Sequence, residues 1–252
     1  MKNRVDVLGV MIDNLTREEA VSEIDALIKK NKPSMVCTAN ANHVRLARAD
    51  AQFAAIYNEA DIVTGDGMPV IWASKLLGRP LRDRVSGIDL VEEICRRSAA
   101  RGYRIYFLGA SMGIAEKAKE RCERLYPGVQ IVGSYSPARS EILDDNKSLA
   151  IVDKINGSGA NILCVAFGPP LQEKWMKKHM HLLKTPVSIG VGGTLDYLAG
   201  IIKRPPPIVQ KMGMEWFARL IQDPARYWKR YLKDFVFFYY LFLEITKTAR
   251  FK

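Results

Sequence analysis

Hydrophobic positions fall into short runs separated by stretches in which apolar residues recur every three to four positions. Val5–Val10 reads as a strand. Thr16-Arg17-Glu18-Glu19 follows as a capping box, because the Thr hydroxyl and the Glu carboxylate can each satisfy an orphan helix amide. Ala20, Val21, Ile24, Leu27 and Ile28 then lie at helical spacing. The same reading predicts strands at Ser34–Thr38, Asp61–Thr64, Tyr103–Leu108, Val129–Ser134, Ile162–Phe167 and Val187–Val191. Helices fit between most of them, over 42–58, 87–101, 113–125, 145–157 and 171–182. Strand–helix alternation over this length predicts an α/β core around a largely parallel sheet.

Pro205-Pro206-Pro207 interrupts the pattern, since successive prolines continue neither a helix nor a central strand. The reading divides the chain into a core, 1–196, and a C-terminal helical appendage, 197–252, made mainly of two helices broken near Asp223-Pro224. Charge sharpens this division. The net charge is +11, and from Lys203 onward eleven Lys/Arg face four Asp/Glu, so +7 of the excess lies there. Twelve of the 23 aromatic residues share the segment, which points to an anionic partner such as a bilayer face, a nucleic acid or a polyphosphate. Its longest apolar run, Phe235–Leu243, has nine residues, whereas a spanning helix needs roughly twenty. Met1–Val10 shows no apolar signal-peptide region. Cys37, Cys95, Cys122 and Cys164 are scattered and apolar in context, as expected of buried reduced thiols in a reducing compartment.

In parallel α/β sheets ligands bind beyond the carboxyl ends of the strands, so the strand exits are the places to look for chemistry. Thr38 and Asn40 follow Met35–Cys37 and suit hydrogen bonds to a hydroxylated ligand; they, and Asn42 above all, suit helix capping equally well. Asp66 stands between Gly65 and Gly67, where a carboxylate could act as a general base or merely shape a turn. Gly109-Ala110-Ser111 precedes a helix whose free amides suit a diphosphate, or forms a plain tight turn. Gly168 and Gln172 border the next exit, and Gly193 and Asp196 the last. No Asp-x-Asp occurs, and His43, His179 and His181 form no metal-ligand set, so neither a metal nor another cofactor is expected. Arg84, Lys203 and Arg204 are candidates to meet a leaving diphosphate, though each reads also as a solvated surface charge.

Taken in order, these pieces resemble the WecG/TagA/CpsF glycosyltransferases. The resemblance rests on Leu8-Gly9-Val10, Thr38-Ala39-Asn40, Gly65-Asp66-Gly67, Arg84-Val85-Ser86-Gly87 and Phe107-Leu108-Gly109-Ala110. It continues through Leu125-Tyr126-Pro127-Gly128, Gly168-Pro169-Pro170-Leu171-Gln172-Glu173-Lys174-Trp175, Gly190-Val191-Gly192-Gly193 and Lys203-Arg204-Pro205-Pro206. Glu215-Trp216 and Asp223-Pro224-Ala225-Arg226-Tyr227 complete it. The resemblance implies a Rossmann-like core and an inverting, metal-independent transfer of a hexose, such as N-acetylmannosamine, from a UDP-sugar donor. The implied acceptor is a polyprenyl-diphosphate-linked saccharide, in teichoic acid or other surface polysaccharide synthesis. It further implies Asp66 as general base, Thr38, Asn40, Arg84, Gln172 and Asp196 in the pocket, and Arg219 and Arg226 closing over the diphosphate. Arg230 sits one position off the implied arrangement.

The implied location is peripheral, on the cytoplasmic face of the cell membrane. There the aromatic, basic helix would meet an anionic membrane surface. Burial against the core, or a homo-oligomer interface, is the alternative for that helix. Two other classes remain open to test. A nucleotide-dependent oxidoreductase would need a G-x-G-x-x-G turn, which is missing. A nucleic-acid-binding protein would fit the basic excess but not its mixture with a greasy helix, so no nucleic acid is expected.

Overall fold

The computed structural model describes residues 3–250, apart from the side chains at Pro207, Lys211, Arg226, Thr248, Ala249 and Arg250. The chain opens on a hairpin, β1 (Arg4–Val7) and β2 (Val10–Asp13), rather than the single strand expected over Val5–Val10. Leu8 and Gly9 both take positive φ, 57° and 93°, which reverses the chain inside the apolar run. Asp6 accepts the Gly9 amide at 2.7 Å and holds the turn. Helix α1 (Arg17–Lys30) starts on the expected capping box, with Thr16 and Glu19 exchanging bonds of 2.9 and 3.3 Å.

Strand β3 (Ser34–Ala39) leads into α2 (Ala41–Ala49) and α3 (Ala51–Glu59). The one helix expected over 42–58 is thus two, because Asp50 turns its carboxylate back on the Phe53 amide at 3.1 Å and caps a new start. Next come β4 (Ile62–Gly65), α4 (Met68–Leu76), α5 (Gly87–Arg101), β5 (Arg104–Gly109), α6 (Ile114–Leu125) and β6 (Gln130–Tyr135). They are followed by α7 (Arg139–Leu143), α8 (Asp145–Gly157), β7 (Ile162–Ala166), α9 (Leu171–His179), β8 (Val187–Gly190) and α10 (Thr194–Leu198). Helix α9 stops three residues short of the expected 182.

Strands β3 to β8 form one parallel sheet in the order β4-β3-β8-β7-β5-β6. β3, β4, β7 and β8 are buried along their whole length, as strands covered by helices on both faces must be. Alternate residues feed two cores. Met35, Cys37, Leu163 and Val165 pack on one side with Phe53, Tyr57 and Trp175. Val36, Ile162, Cys164 and Phe107 pack on the other with Ile24, Leu90, Ile94 and Ala118. All four cysteines are free, buried thiols.

One glycine shows how tightly the exits are packed. A Cβ on Gly109 would lie 2.8 Å from the backbone carbon of Ala166, and the residue sits at φ 108°. Gly109→Ala is expected to cost about 2 kcal/mol of stability, read from the denaturant midpoint.

The appendage holds four described helices rather than two: α11 (Pro207–Lys211), α12 (Glu215–Gln222), α13 (Pro224–Asp234) and α14 (Val236–Arg250). α13 and α14 both pack on α2. Phe237 and Leu241 enter the first core, and Tyr227 packs with Ile88, Tyr197 and Ile202. Helix α14 is therefore apolar on two sides with different fates, since Phe238, Tyr239 and Phe242 stay exposed, as does Phe235 just ahead of it.

Candidate active site

The carboxyl ends of β3, β4, β5, β7 and β8 open into a cavity of about 380 Å³. Thr38, Asn40, Asp66, Ala110, Ser111, Gly168, Gln172, Gly193 and Asp196 all line it, as do Arg219, Tyr227 and Arg230 of the appendage. The switch from one winding direction to the other falls among these strands, where open α/β sheets place their ligands.

Asp66 is presented by its neighbours' backbone. Its amide donates to Ala39 O at 2.7 Å, which prolongs the β3–β4 pairing by one residue. Gly67 then takes φ 107°, so the chain can swing into α4 and leave the Asp66 side chain at the strand mouth. Among the described residues none donates a hydrogen bond to its carboxylate. Burial pushes its pKa up to about 6, with the charges of Glu215 and Asp89 adding to the rise and those of Arg219 and Arg84 opposing it. A carboxylate with that proton affinity suits general-base work near neutral pH.

The floor is a hydrogen-bonded frame. Thr38 Oγ1 donates to Gly190 O at 3.3 Å. Gln172 ties two exits together: its Nε2 donates to Glu173 Oε1 at 2.7 Å, and its Oε1 accepts the Gly192 amide at 3.1 Å. Asn40, not Asn42, caps α2, with Oδ1 accepting the Asn42 amide at 3.1 Å. Asn42 is buried in the first turn and binds Arg45 at 2.7 Å instead. The Asn40 amide donates to His43 Nδ1 at 3.2 Å. Burial and the nearby Arg230 charge lower the His43 pKa to about 3, so its ring is neutral. Asp196 is buried at the start of α10.

Arg219 is the best-placed cation. Its guanidinium lies over the Tyr197 ring at 5.0 Å, its Nη2 donates to Glu215 Oε1 at 3.0 Å, and its buried Nε takes no partner among the described residues. Arg230 also reaches the cavity, despite its position one residue off the expected arrangement.

Other expected residues stand back from the cavity. Arg84 pairs with Glu215 at 2.8 Å and Asp89 at 3.5 Å, and Arg204 with Asp89 at 2.5 Å and Glu92 at 3.2 Å. Lys203 is exposed and holds Gln222 through its backbone. Gly109 backs the turn without lining the space. The Arg226 side chain lies outside the described residues. His43, Ser86, Arg139, Phe167 and Tyr227 line the cavity without having been singled out as ligands from sequence. His43 and Ser86 carried one usable signal, each lying within a turn of a glycine- or amide-rich exit.

A parallel sheet that opens a polar cleft at its strand ends, with the Asp66 carboxylate at one strand mouth and cationic helices folded over the top, is the build of a Rossmann-like enzyme. The chain belongs to the WecG/TagA/CpsF family of glycosyl transferases, whose model matches residues 5–251, and it is a glycosyltransferase. It is 34% identical over 205 residues to the N-acetylglucosaminyldiphosphoundecaprenol N-acetyl-beta-D-mannosaminyltransferase of Bacillus spizizenii W23, covering 81% of this chain and 77% of that one. It is 30% identical over 251 residues to the Staphylococcus aureus MW2 protein of the same name, covering 98% and 94%. No helix among the described residues is long and apolar enough to cross a membrane.

Proposed function

We propose that this glycosyltransferase moves N-acetylmannosamine, with inversion and without a metal, from UDP to an N-acetylglucosamine carried on undecaprenyl diphosphate. The sugar and acceptor follow the names of the two relatives. The observation that carries the mechanism is Asp66, at the mouth of β4 and raised toward neutral proton affinity, lining one cavity with Arg219. The space, about 380 Å³, falls in the range that ligand sites occupy.

In this reading Asp66 takes the proton of the acceptor hydroxyl as that oxygen attacks the anomeric carbon. The carbon–oxygen bond to UDP breaks on the opposite face, and UDP leaves with the electron pair. The growing charge is met by Arg219 and Arg230 and by the turn after Ala110, whose Ser111 amide leads toward the N-terminus of α6, the Ala110 amide being spent on Ala166 O at 2.9 Å. Fixed cations and amides then do what a divalent ion does elsewhere. The core, 1–196, supplies the base, and the segment from 197 supplies the cover.

The test is a donor screen against N-acetylglucosaminyl-diphosphoryl-lipid, read by mass spectrometry. UDP-N-acetylmannosamine is expected to add one N-acetylhexosamine. Transfer from no UDP-sugar, with transfer from another nucleotide sugar, would overturn the donor assignment.

Membrane contact belongs to the same reading. The outward side of the appendage displays Trp228, Leu232, Phe235, Phe238 and Phe242 beside Lys229 and Lys233. Aromatic and basic residues in this mixture suit the headgroup level of an anionic, cytoplasmic leaflet. Because Tyr227, Phe237 and Leu241 are buried, deletion of the tail would strip the core, and substitution is the cleaner probe. Changing Trp228, Phe235, Phe238 and Phe242 together to Ser is expected to reduce sedimentation with anionic liposomes by at least about tenfold, with an unchanged melting temperature. Retained liposome binding, or loss of self-association instead, would assign that face to a second copy of the chain.

A further inference from the structure

Glu215 opens α12 where the appendage meets the core, and its side chain is buried. Its two oxygens face two different arginines. Oε2 accepts from Arg84 Nη1 at 2.8 Å, in the loop ahead of α5. Oε1 accepts from Arg219 Nη2 at 3.0 Å, one turn along its own helix and on the cavity wall. Arg84 is met a second time by Asp89, at 3.5 Å, and Asp89 is also held by Arg204 and Ser86.

This arrangement is puzzling if the arginines serve only to attract a diphosphate, because a carboxylate between them weakens that attraction. It makes sense for a neighbouring base. Two uncompensated guanidinium groups beside Asp66 would stabilise its ionised form and leave it a poor proton acceptor. Arg219 would also be free to swing onto Asp66 and occupy it.

We propose that Glu215 is a positioning residue for sugar transfer: by bridging Arg84 and Arg219 it cancels their charge at Asp66 and holds Arg219 toward the ligand's diphosphate instead of the base. This rests on Asp66 acting as the base. The groups that face Asp66 are Arg84 and Asp89 at α5 and Glu215 and Arg219 on α12. Tyr57 on α3 feels its charge, and the neutral His43 on α2, Arg139 on α7, Asp196 on α10 and Arg230 on α13 share its cavity. Of these, Glu215 touches both cations that lower the proton affinity of Asp66.

The signs are opposite for the two partners. Glu215→Gln removes a negative charge, so the acid limb of the kcat/KM profile is expected to move down by about one pH unit. Turnover on the plateau is expected to fall about tenfold, as a weaker base works less well and Arg219 is no longer held toward the diphosphate. Arg84→Gln removes a positive charge, so the limb moves up, and the double variant returns it close to the parent position. Carboxyl carbon-13 NMR of Asp66 in the same variants reads its titration without any turnover.

An acid limb and an Asp66 titration that stay in place in both single variants would overturn the proposal and leave Glu215 as a clasp between appendage and core. Failure of the base assignment looks different: Asp66 would titrate as described and respond to both variants, while Asp66→Asn kept its turnover.

Discussion

Asp66→Asn is expected to lower sugar transfer by about 10²–10⁴-fold while UDP still binds. The amide keeps the shape of the strand exit, so the Asp66 amide bond to Ala39 and the turn at Gly67 survive. In the proposed role it loses only the ability to take a proton from the acceptor. The same change is expected to make the protein more stable at neutral pH. Burial raises the Asp66 pKa to about 6, so the folded state holds this proton more tightly than the unfolded chain does. That stabilisation is complete below the ordinary carboxylate pKa and is lost as the pH climbs through about 6. Above that point the half-buried charge costs about 1–2 kcal/mol, allowing for water in the cavity, and Asn escapes the cost. A calorimetric melt should therefore show the variant raised at pH 7.5 and level with the parent near pH 4. An unchanged melting temperature at both pH values would remove the buried-charge explanation.

Arg219→Gln is the second large effect. Loss of a fixed cation at a leaving group costs about 10²–10³-fold in turnover, and UDP affinity is expected to fall with it. Gln cannot stack a charge on Tyr197 or bridge to Glu215 as an ion pair, so the cavity loses its best-placed donor. The pH profile gives an independent sign. Arg219 lowers the proton affinity of Asp66, so its removal is expected to move the acid limb upward. Steady-state kinetics across pH, with UDP titration calorimetry, checks both parts. Undiminished turnover would return Arg219 to the role of a strut between α12 and Tyr197.

The strand exits were legible because each apolar run ends abruptly in small, amide or acidic residues, and a parallel sheet makes those ends converge. Thr38, Asp66 and Gln172 come from sites far apart in sequence yet line one cavity. The β1–β2 turn was hidden because Leu8 continues the hydrophobic run that the turn interrupts. The α2–α3 break was hidden because Asp50 is a cap that looks like an exposed helical residue. What could not be read was orientation. Arg84, Arg204 and Arg219 look alike along the chain, but only Arg219 reaches the cavity, since Asp89 and Glu215 claim the first two or share the third. Glu215 was visible only as the start of a Glu-Trp pair. Its meaning depends on α12 folding back across 131 residues of separation to meet Arg84.

The most direct test of Asp66 as the base is the pH dependence of kcat/KM for transfer to the lipid-linked acceptor, followed from about pH 5 to 8. Activity is expected to rise through a single ionisation near pH 6 and then level, with the Asp66→Asn variant inactive throughout. A profile flat through pH 6, or turnover in the Asn variant on the same limb, would contradict it.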